Sequence, residues 1–304
     1  MFNMIILSYS LLCETLEVFA MRKGKGRSCH LFLLLSIILM ILPTFQVQAA
    51  SKTTVYVVAS IKYKGSSEDG KESFTQKISY NKNGLITKIN TPNIASIKQT
   101  FTYNKKNRLK KLVKKTANGG LKGTATTTYS YKNGLLYTKK TVNIGGGTEL
   151  FTYTWKNGVI TSAEFLDGWK NDDGSVTSTK HDLTFTYKKG HVVKQTDKNE
   201  HGTNVAKVTL DNKGNAIKGA YYMNGEKNVE FVYSAGITYD KSTKRMKKAK
   251  TKFHRPMMRG TDNYTKTIKY KKIKVSKKNV ELIKEQQWQL LNANLNQSGI
   301  GFAW

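Results

Sequence analysis

One short segment, YNKNGLITKI at residues 80–89, constrains this chain more than any other feature, because it keeps returning. Variants begin at Tyr103 (YNKKNRLKKLV), Tyr131 (YKNGLLYTKK), Trp155 (WKNGVITSAEF), Tyr187 (YKKGHVVKQT) and Leu210 (LDNKGNAIKG). Ahead of each, bulky residues occupy every second position, as with Phe151, Tyr153 and Trp155, or Leu183, Phe185 and Tyr187. Period two in residues such as Thr, Tyr, Phe and Val describes a strand with one buried face. Then come a polar pair and glycine: Asn83-Gly84, Asn133-Gly134, Asn157-Gly158, Lys189-Gly190 and Lys213-Gly214. Such pairs between alternating runs signal a tight hairpin turn, since positive φ is sterically free only for glycine. The aliphatic after the glycine opens the return strand.

The landmarks are 23, 28, 24, 32 and 23 residues apart, and FVYSAGITY adds a degenerate seventh copy with Tyr233 another 23 on. Two strands of ~7 residues and two turns fill such a period. The longer intervals hold extra turn material at 116–124 and 167–175. Neighbouring copies of such arrays bury each other's faces. The expectation is an all-β protein: an antiparallel meander of hairpin repeats with period ~23, able to curl on itself. Residues 53–63 read as its opening strand.

Tyr, a polar residue, any residue, Gly, any residue and Leu or Ile, at this period, resembles the YD repeats of bacterial RHS-type surface and toxin proteins over residues 74–240. The pattern departs in two ways. Asn81, Asn104, Lys132, Lys156 and Lys188 stand where Asp follows the aromatic in that family, and only Asp211 matches, after a leucine. Leu85, Leu135 and Val159 replace the arginine after the glycine. The resemblance implies an exported, β-rich, surface-facing protein with glycan binding, not a toxin shell.

The N-terminal region reads as a leader. MRKGKGR (21–27) is basic, LFLLLSIILMIL (31–42) is apolar, and small residues follow, as in a secretory signal peptide. Cleavage between Ala49 and Ala50 places Val47 and Ala49 at the −3 and −1 positions. The apolar run is shorter than the ~20 residues of a bilayer span, so no stable span is expected after cleavage. Residues 1–20 carry no positive charge, and translation is expected to start at Met21, making them a gene-model extension. Both cysteines, Cys13 and Cys29, fall in the leader, and Cys29 precedes the apolar run, unlike a lipid-bearing cysteine. Residues 50–304 therefore exclude disulfides, thiolate nucleophiles and cysteine metal sites.

Without the leader's four basic and two acidic residues, 47 Lys/Arg face 18 Asp/Glu, a net of +29. Such a field draws anionic polymers. Only Arg108, Arg245, Arg255 and Arg259 are arginine, so the field is made of lysine point charges rather than bidentate forks. After Tyr239 the character changes: residues 241–278 hold sixteen Lys/Arg and one acid, Asp262. The first half reads as a loop ending at Pro256. The second alternates as a strand, with Ile268, Tyr270 and Lys272 on one face. Residues 276–296 read as an amphipathic helix capped by Ser276, with Val280, Ile283, Trp288, Leu290, Leu291 and Leu295 on one stripe packed against the sheet. The domain reading is therefore 1–20, a signal peptide at 21–49, a hairpin-repeat domain at 50–240, and a basic segment with the packing helix at 241–304.

Chemical motifs are sparse. The chain has no G-x-S-x-G elbow, phosphate-cradling glycine loop or H-E-x-x-H, and no cofactor is expected. His181, His191 and His201 are spaced by ten, yet meander geometry puts the first two ~20 Å apart and keeps the three from one ion. His181 and His201 with Asp182 and Asp197 leave only a weak metal reading, and no metal is expected. Glu164, Asp167, Asp172 and Asp173 cluster, but NDDG is first a turn sequence, and the calcium-loop register is not met. The candidate contact site is the basic tract: Lys244, Arg245, Lys247, Lys248, Lys250, Lys252, Arg255 and Arg259 along an anionic cell-wall polymer or acidic glycan. Phe253 is its one stacking aromatic, which ranks nucleic acid lower. The expected function is a secreted, non-catalytic protein associating with anionic envelope or extracellular polymer. The rivals are an exported glycan hydrolase using loop carboxylates and a structural part of a surface assembly.

Overall fold

The computed structural model describes residues 51–67, 70–92, 96–118, 121–171, 173–225, 227–256 and 260–292. Sixteen strands follow in order: β1 (Lys52–Ser67), β2 (Gly70–Tyr80), β3 (Ile86–Thr91), β4 (Ile97–Tyr103), β5 (Leu109–Asn118), β6 (Leu121–Lys132), β7 (Leu135–Val142), β8 (Thr148–Lys156), β9 (Val159–Lys170), β10 (Val176–Lys188), β11 (His191–Asn199), β12 (Gly202–Leu210), β13 (Ala216–Met223), β14 (Asn228–Tyr239), β15 (Met246–Arg255) and β16 (Gly260–Ser276). A 3-10 turn, Lys277–Asn279, leads into helix α1 (Val280–Asn292). Each strand pairs antiparallel with its predecessor, and β16 pairs with β1, so the meander closes into a barrel.

Two parts of the sequence reading are corrected by the closure. The basic tract is not a loop: Met246–Arg255 is β15, with Ala249, Thr251 and Phe253 buried between outward lysines. Lysine density hides the period of two there. Most of the segment set apart at 241–304 is also wall, since β15 and β16 complete the ring. Ser276 does stand ahead of the helical segment, but its side chain makes no capping hydrogen bond.

The turns come in two kinds. Asn133-Gly134, Asn157-Gly158 and Lys189-Gly190 have both residues at positive φ, which suits a two-residue hairpin. Asn83-Gly84 and Lys213-Gly214 instead lie in longer loops. There Asn81 Oδ1 accepts the amides of Asn83 (2.9 Å) and Leu85 (3.1 Å), and Asp211 Oδ1 accepts those of Lys213 and Asn215 (both 2.9 Å). Asn104 does the same, with Asn107 at φ 61° taking the glycine's place.

Each of these hairpins has the same irregularity. Pairing runs Ser79↔Lys88 and then Tyr80↔Ile86, so Thr87 is an extra residue on the return strand. The same one-residue bulge falls at Lys110, Tyr137, Thr161, Val193, Ile217 and Lys247. It explains why the repeat keeps an aromatic. In five of the hairpins the ring reaches back and donates to the carbonyl beside the previous bulge, as in Tyr103 Oη to Ile86 (2.6 Å), Tyr131 Oη to Leu109 (2.8 Å) and Trp155 Nε1 to Leu136 (2.6 Å). At Tyr187 the same neighbour is met with the direction reversed: the Ile160 backbone hydrogen-bonds the phenol oxygen and lowers its pKa. Tyr270 to Met246 (2.9 Å) and Tyr80 to Val58 (2.6 Å) carry the pattern across the seam. The series breaks at Leu210, which has no donor, and at Tyr239, whose Oη donates to Asp211 Oδ2; Trp288 of α1 docks beside Leu210, donating to Gly214 O (2.8 Å) and stacking on His191 at 4.0 Å.

Inside and outside differ sharply. Leu183 and Phe185 of β10 are buried, while Asp182, Thr184, Thr186 and Lys188 between and beside them face water. Sixteen-stranded barrels can hold an aqueous channel. This one is filled at these levels by its own side chains, with Ile61 at 0% and Val192 at 1% exposure. Bilayer-spanning barrels have an apolar outer band and a polar interior; this wall is arranged the other way round.

The helix lies across the lumen at the end where the repeat turns gather. Its partners include Tyr103 at the end of β4 and His191 at the start of β11, which are on opposite sides of the ring. A bulge leaves ladder groups unpaired, and α1 supplies acceptors for three. Gln287 Oε1 takes the amide of Val58 (2.7 Å), Gln286 Oε1 that of Ile86 (3.1 Å), and Asn292 Oδ1 that of Ala216 (3.1 Å). Gly84 lets the helix approach: a Cβ there would meet Ile283 Cδ1 and Val275 Cγ1 at 2.6 Å, whereas Gly158 opens on free space. Both have positive φ, near 80°. We therefore expect Gly158→Ala to cost about 1 kcal/mol of stability, the conformational penalty alone. Gly84→Ala should cost at least twice that in chemical denaturation, and should raise hydrogen exchange in α1.

Candidate functional site

Barrel closure builds a lysine lattice that no single stretch of sequence contains. The outward positions of β15, β16, β1 and β2 fall into rows: Lys248–Thr267–Lys62–Thr75, then Lys250–Thr265–Lys64–Ser73, then Lys252–Asn263–Ser66–Lys71. Lysines along one strand repeat every ~7 Å and those of β15 and β1 stand ~10 Å apart, with a short polar residue between them. Lys64, Lys71, Lys250 and Lys252 rim a shallow concavity of about 440 Å³ whose floor includes Gly65 and Tyr264. None of these lysines pairs with a described carboxylate.

The basic tract reaches this face only in part. Lys248, Lys250 and Lys252 point outward on it, and Lys247 is the exposed bulge residue of β15. Lys244, at φ 56°, belongs to the β14–β15 turn at the helix end. Arg245 turns onto the Tyr56 ring, 3.6 Å from its centroid. Arg255 is at the far end, 4.0 Å from Asp262. Arg259, like Ala49, Ala50, Asp172 and Leu295, lies outside the described residues. Lys62, Lys64 and Lys71 were missed because they are some 180 residues away in sequence. Only the pairing of the first strand with the last brings them in.

The histidines do not converge. His181 Nδ1 is 2.8 Å from Asp197 Oδ1, His191 stacks on Trp288, and His201 is an exposed turn residue 3.5 Å from Glu200. Burial lowers the pKa of His191. Asp182 faces outward. Among the described residues, no group of three or more His, Cys, Asp or Glu could hold a metal ion. The loop carboxylates scatter too. Glu164 is an outer residue 2.7 Å from Lys180. Asp173 accepts both the amide (2.8 Å) and hydroxyl (2.6 Å) of Ser175, which lower its pKa and assign it to the turn. Asp167 alone faces inward, opposite Glu149.

One inner lysine is almost fully sealed from water. Lys266, 2% exposed, lies on the inner wall of β16 and donates to Leu291 O at the end of α1 (2.5 Å). An ammonium at a helix C-terminus meets the negative end of the helix dipole. Burial pushes its pKa down to about 8. Parity was the signal for it, since Lys266 shares the inward register of Tyr264, Ile268 and Tyr270, but the charge run around it obscured that.

No family model matches the sequence, and no curated protein matches it. Among solved structures, a porin-like protein from Bacteroides vulgatus superposes on 70% of this chain and 98% of its own, with a TM-score of 0.39 and 11% identity.

Lys266 also generates a pH prediction. A lysine whose folded pKa, about 8, lies below its ordinary 10.5 makes the unfolded state bind more protons between those values. Stability should therefore rise from pH 8 to 10, by up to about 1.4 kcal/mol per pH unit. Above pH 10 the direction should reverse, because burial raises the folded pKa of Tyr103 and Tyr270 to about 12 and the unfolded chain then loses protons first. In Lys266→Met the rise between pH 8 and 10 should shrink and the reversal remain, as read by unfolding midpoints.

Proposed function

We propose that this is an exported, non-catalytic protein that associates with anionic cell-envelope or extracellular polymers through the lysine lattice of β15, β16, β1 and β2. The observation that carries this reading is the spacing, in rows around a shallow concavity, of lysines that pair with no described carboxylate. Hydrated ammonium groups on flexible stems tolerate variation in the polymer. A filled barrel holds the strands that carry them at fixed distances. The hydrolase reading finds less support, because the loop carboxylates it needs are paired outside or committed to turns.

Binding of this kind releases counterions and weakens as salt is added. Retention on isolated wall polymer should fall steeply between low and physiological ionic strength; retention indifferent to salt contradicts the proposal. Replacing Lys62, Lys64, Lys250 and Lys252 by Gln should weaken retention at least tenfold. The same change at Lys105, Lys106, Lys111 and Lys115, exposed on and beside β5, should have a smaller effect.

A further inference from the structure

A second set of side chains stands on the inner wall of β7–β11, at the end away from α1, and shares no residue with the lysine lattice. Glu149 and Asp167 are direct cross-strand partners there, so their carboxyl groups are neighbours on one face. Asn143 Nδ2 donates to Glu149 Oε1 (2.8 Å). Burial raises the pKa of Asp167, the charge of Glu149 raises it further, and His181 opposes both. Two neighbouring carboxyl groups offer a hydroxyl-bearing ligand several acceptors on one face. Beside it, His181 is fixed by Asp197 at 2.8 Å and lies against Phe165, with ring centroids 5.0 Å apart.

Two features point outward from this group to a ligand. Trp169 follows Asp167 on the same face of β9, at the lip, and is 44% exposed. A large ring left in water at a concave edge is a stacking platform without an occupant from the chain. Lys139 is the other. It is largely buried, directly opposite Phe151, whose ring centroid is 4.7 Å away, and one inward position from Glu149 across the pair. No hydrogen bond or ion pair joins its ammonium to a described side chain or carbonyl. Burial lowers its pKa and the charge of Glu149 opposes that.

We propose that this face binds the end of a glycan chain that carries a carboxylate. A pyranose ring lies on Trp169, its hydroxyls meet Glu149 and Asp167, and its carboxylate meets Lys139. Charge-assisted hydrogen bonds of these kinds are the strong ones. Hydroxyls distinguish this ligand from a simple polyanion, which the outer lysines attract without them.

The test uses residues 50–304 with a uronate-terminated oligosaccharide and its carboxyl-reduced neutral counterpart, read by calorimetry and tryptophan fluorescence. The acidic sugar should bind saturably and at least tenfold more tightly than the neutral one. Trp169→Ala, an exposed change that leaves the unfolding midpoint in place, should weaken it at least tenfold. Lys139→Met should remove the preference for the acidic sugar. The quadruple Lys→Gln variant of the outer lattice should bind it as wild type does. No saturable binding to either sugar, full binding by Trp169→Ala, equal affinity for both sugars in the wild type, or loss of binding in the outer variant would each overturn the proposal. The last result would assign the sugar to the lattice.

Discussion

The hydrogen bond from a hairpin's aromatic to the carbonyl beside the preceding bulge, made in five of the hairpins, is the interaction on which this architecture depends. Edge-to-edge pairing alone lets a meander curl to any degree. The back-reaching Tyr or Trp ties neighbouring hairpins together near their turns, where each bulge has already increased the twist. Repeated from Tyr80 to Trp155 and resumed at Tyr270, the tie gives the hairpins one relation to their neighbours around much of the ring. Closure of β16 on β1 then leaves no exposed edge, the usual liability of a long β-sheet.

The helix follows from the same geometry. Ladder amides released at the bulges of Val58, Ile86 and Ala216 need acceptors if they are to be buried, and a helix with Gln286, Gln287 and Asn292 brings them. Where the tie is missing, at Leu210, the indole of Trp288 occupies the vicinity. The cation of Lys266 beneath the last helical turn belongs to this plug. It holds a carbonyl at the expense of a depressed pKa, which makes the stability of the assembly depend on pH in a defined direction.

Much of this was legible in the sequence because period two and glycine-bearing turns are local signals. The strands of the repeats, the inward aromatics and the helix after Ser276 all come from such patterns. Three things were not. Closure depends on pairing between β1 and β16, and nothing near Lys62 or Thr267 announces the other. The bulges are a property of two strands together, so Thr87 or Val193 looks ordinary alone. In β15 the inward residues Ala249 and Thr251 are too small to mark a face among lysines, and the strand reads as a loop. The candidate lattice inherits this limit, with half of it visible as a basic tract and half at the far end of the chain. The inner face of Glu149, Asp167 and Trp169 was half visible as well, as acids in a turn-rich stretch whose cross-strand partners sequence does not reveal.

The lysine lattice rests on the first strand meeting the last in one register. Residues 50–304 contain no cysteine, so that contact can be probed cleanly. In the chain carrying Thr54→Cys and Lys274→Cys, direct partners across the seam, mild oxidation should give an intramolecular disulfide in nearly every molecule. Thr54→Cys with Lys269→Cys, which pairs with Ser60 instead, should give none. Equal crosslinking of the two pairs, or none at Thr54 and Lys274, would mean that the sheet stays open and that no continuous lysine lattice exists.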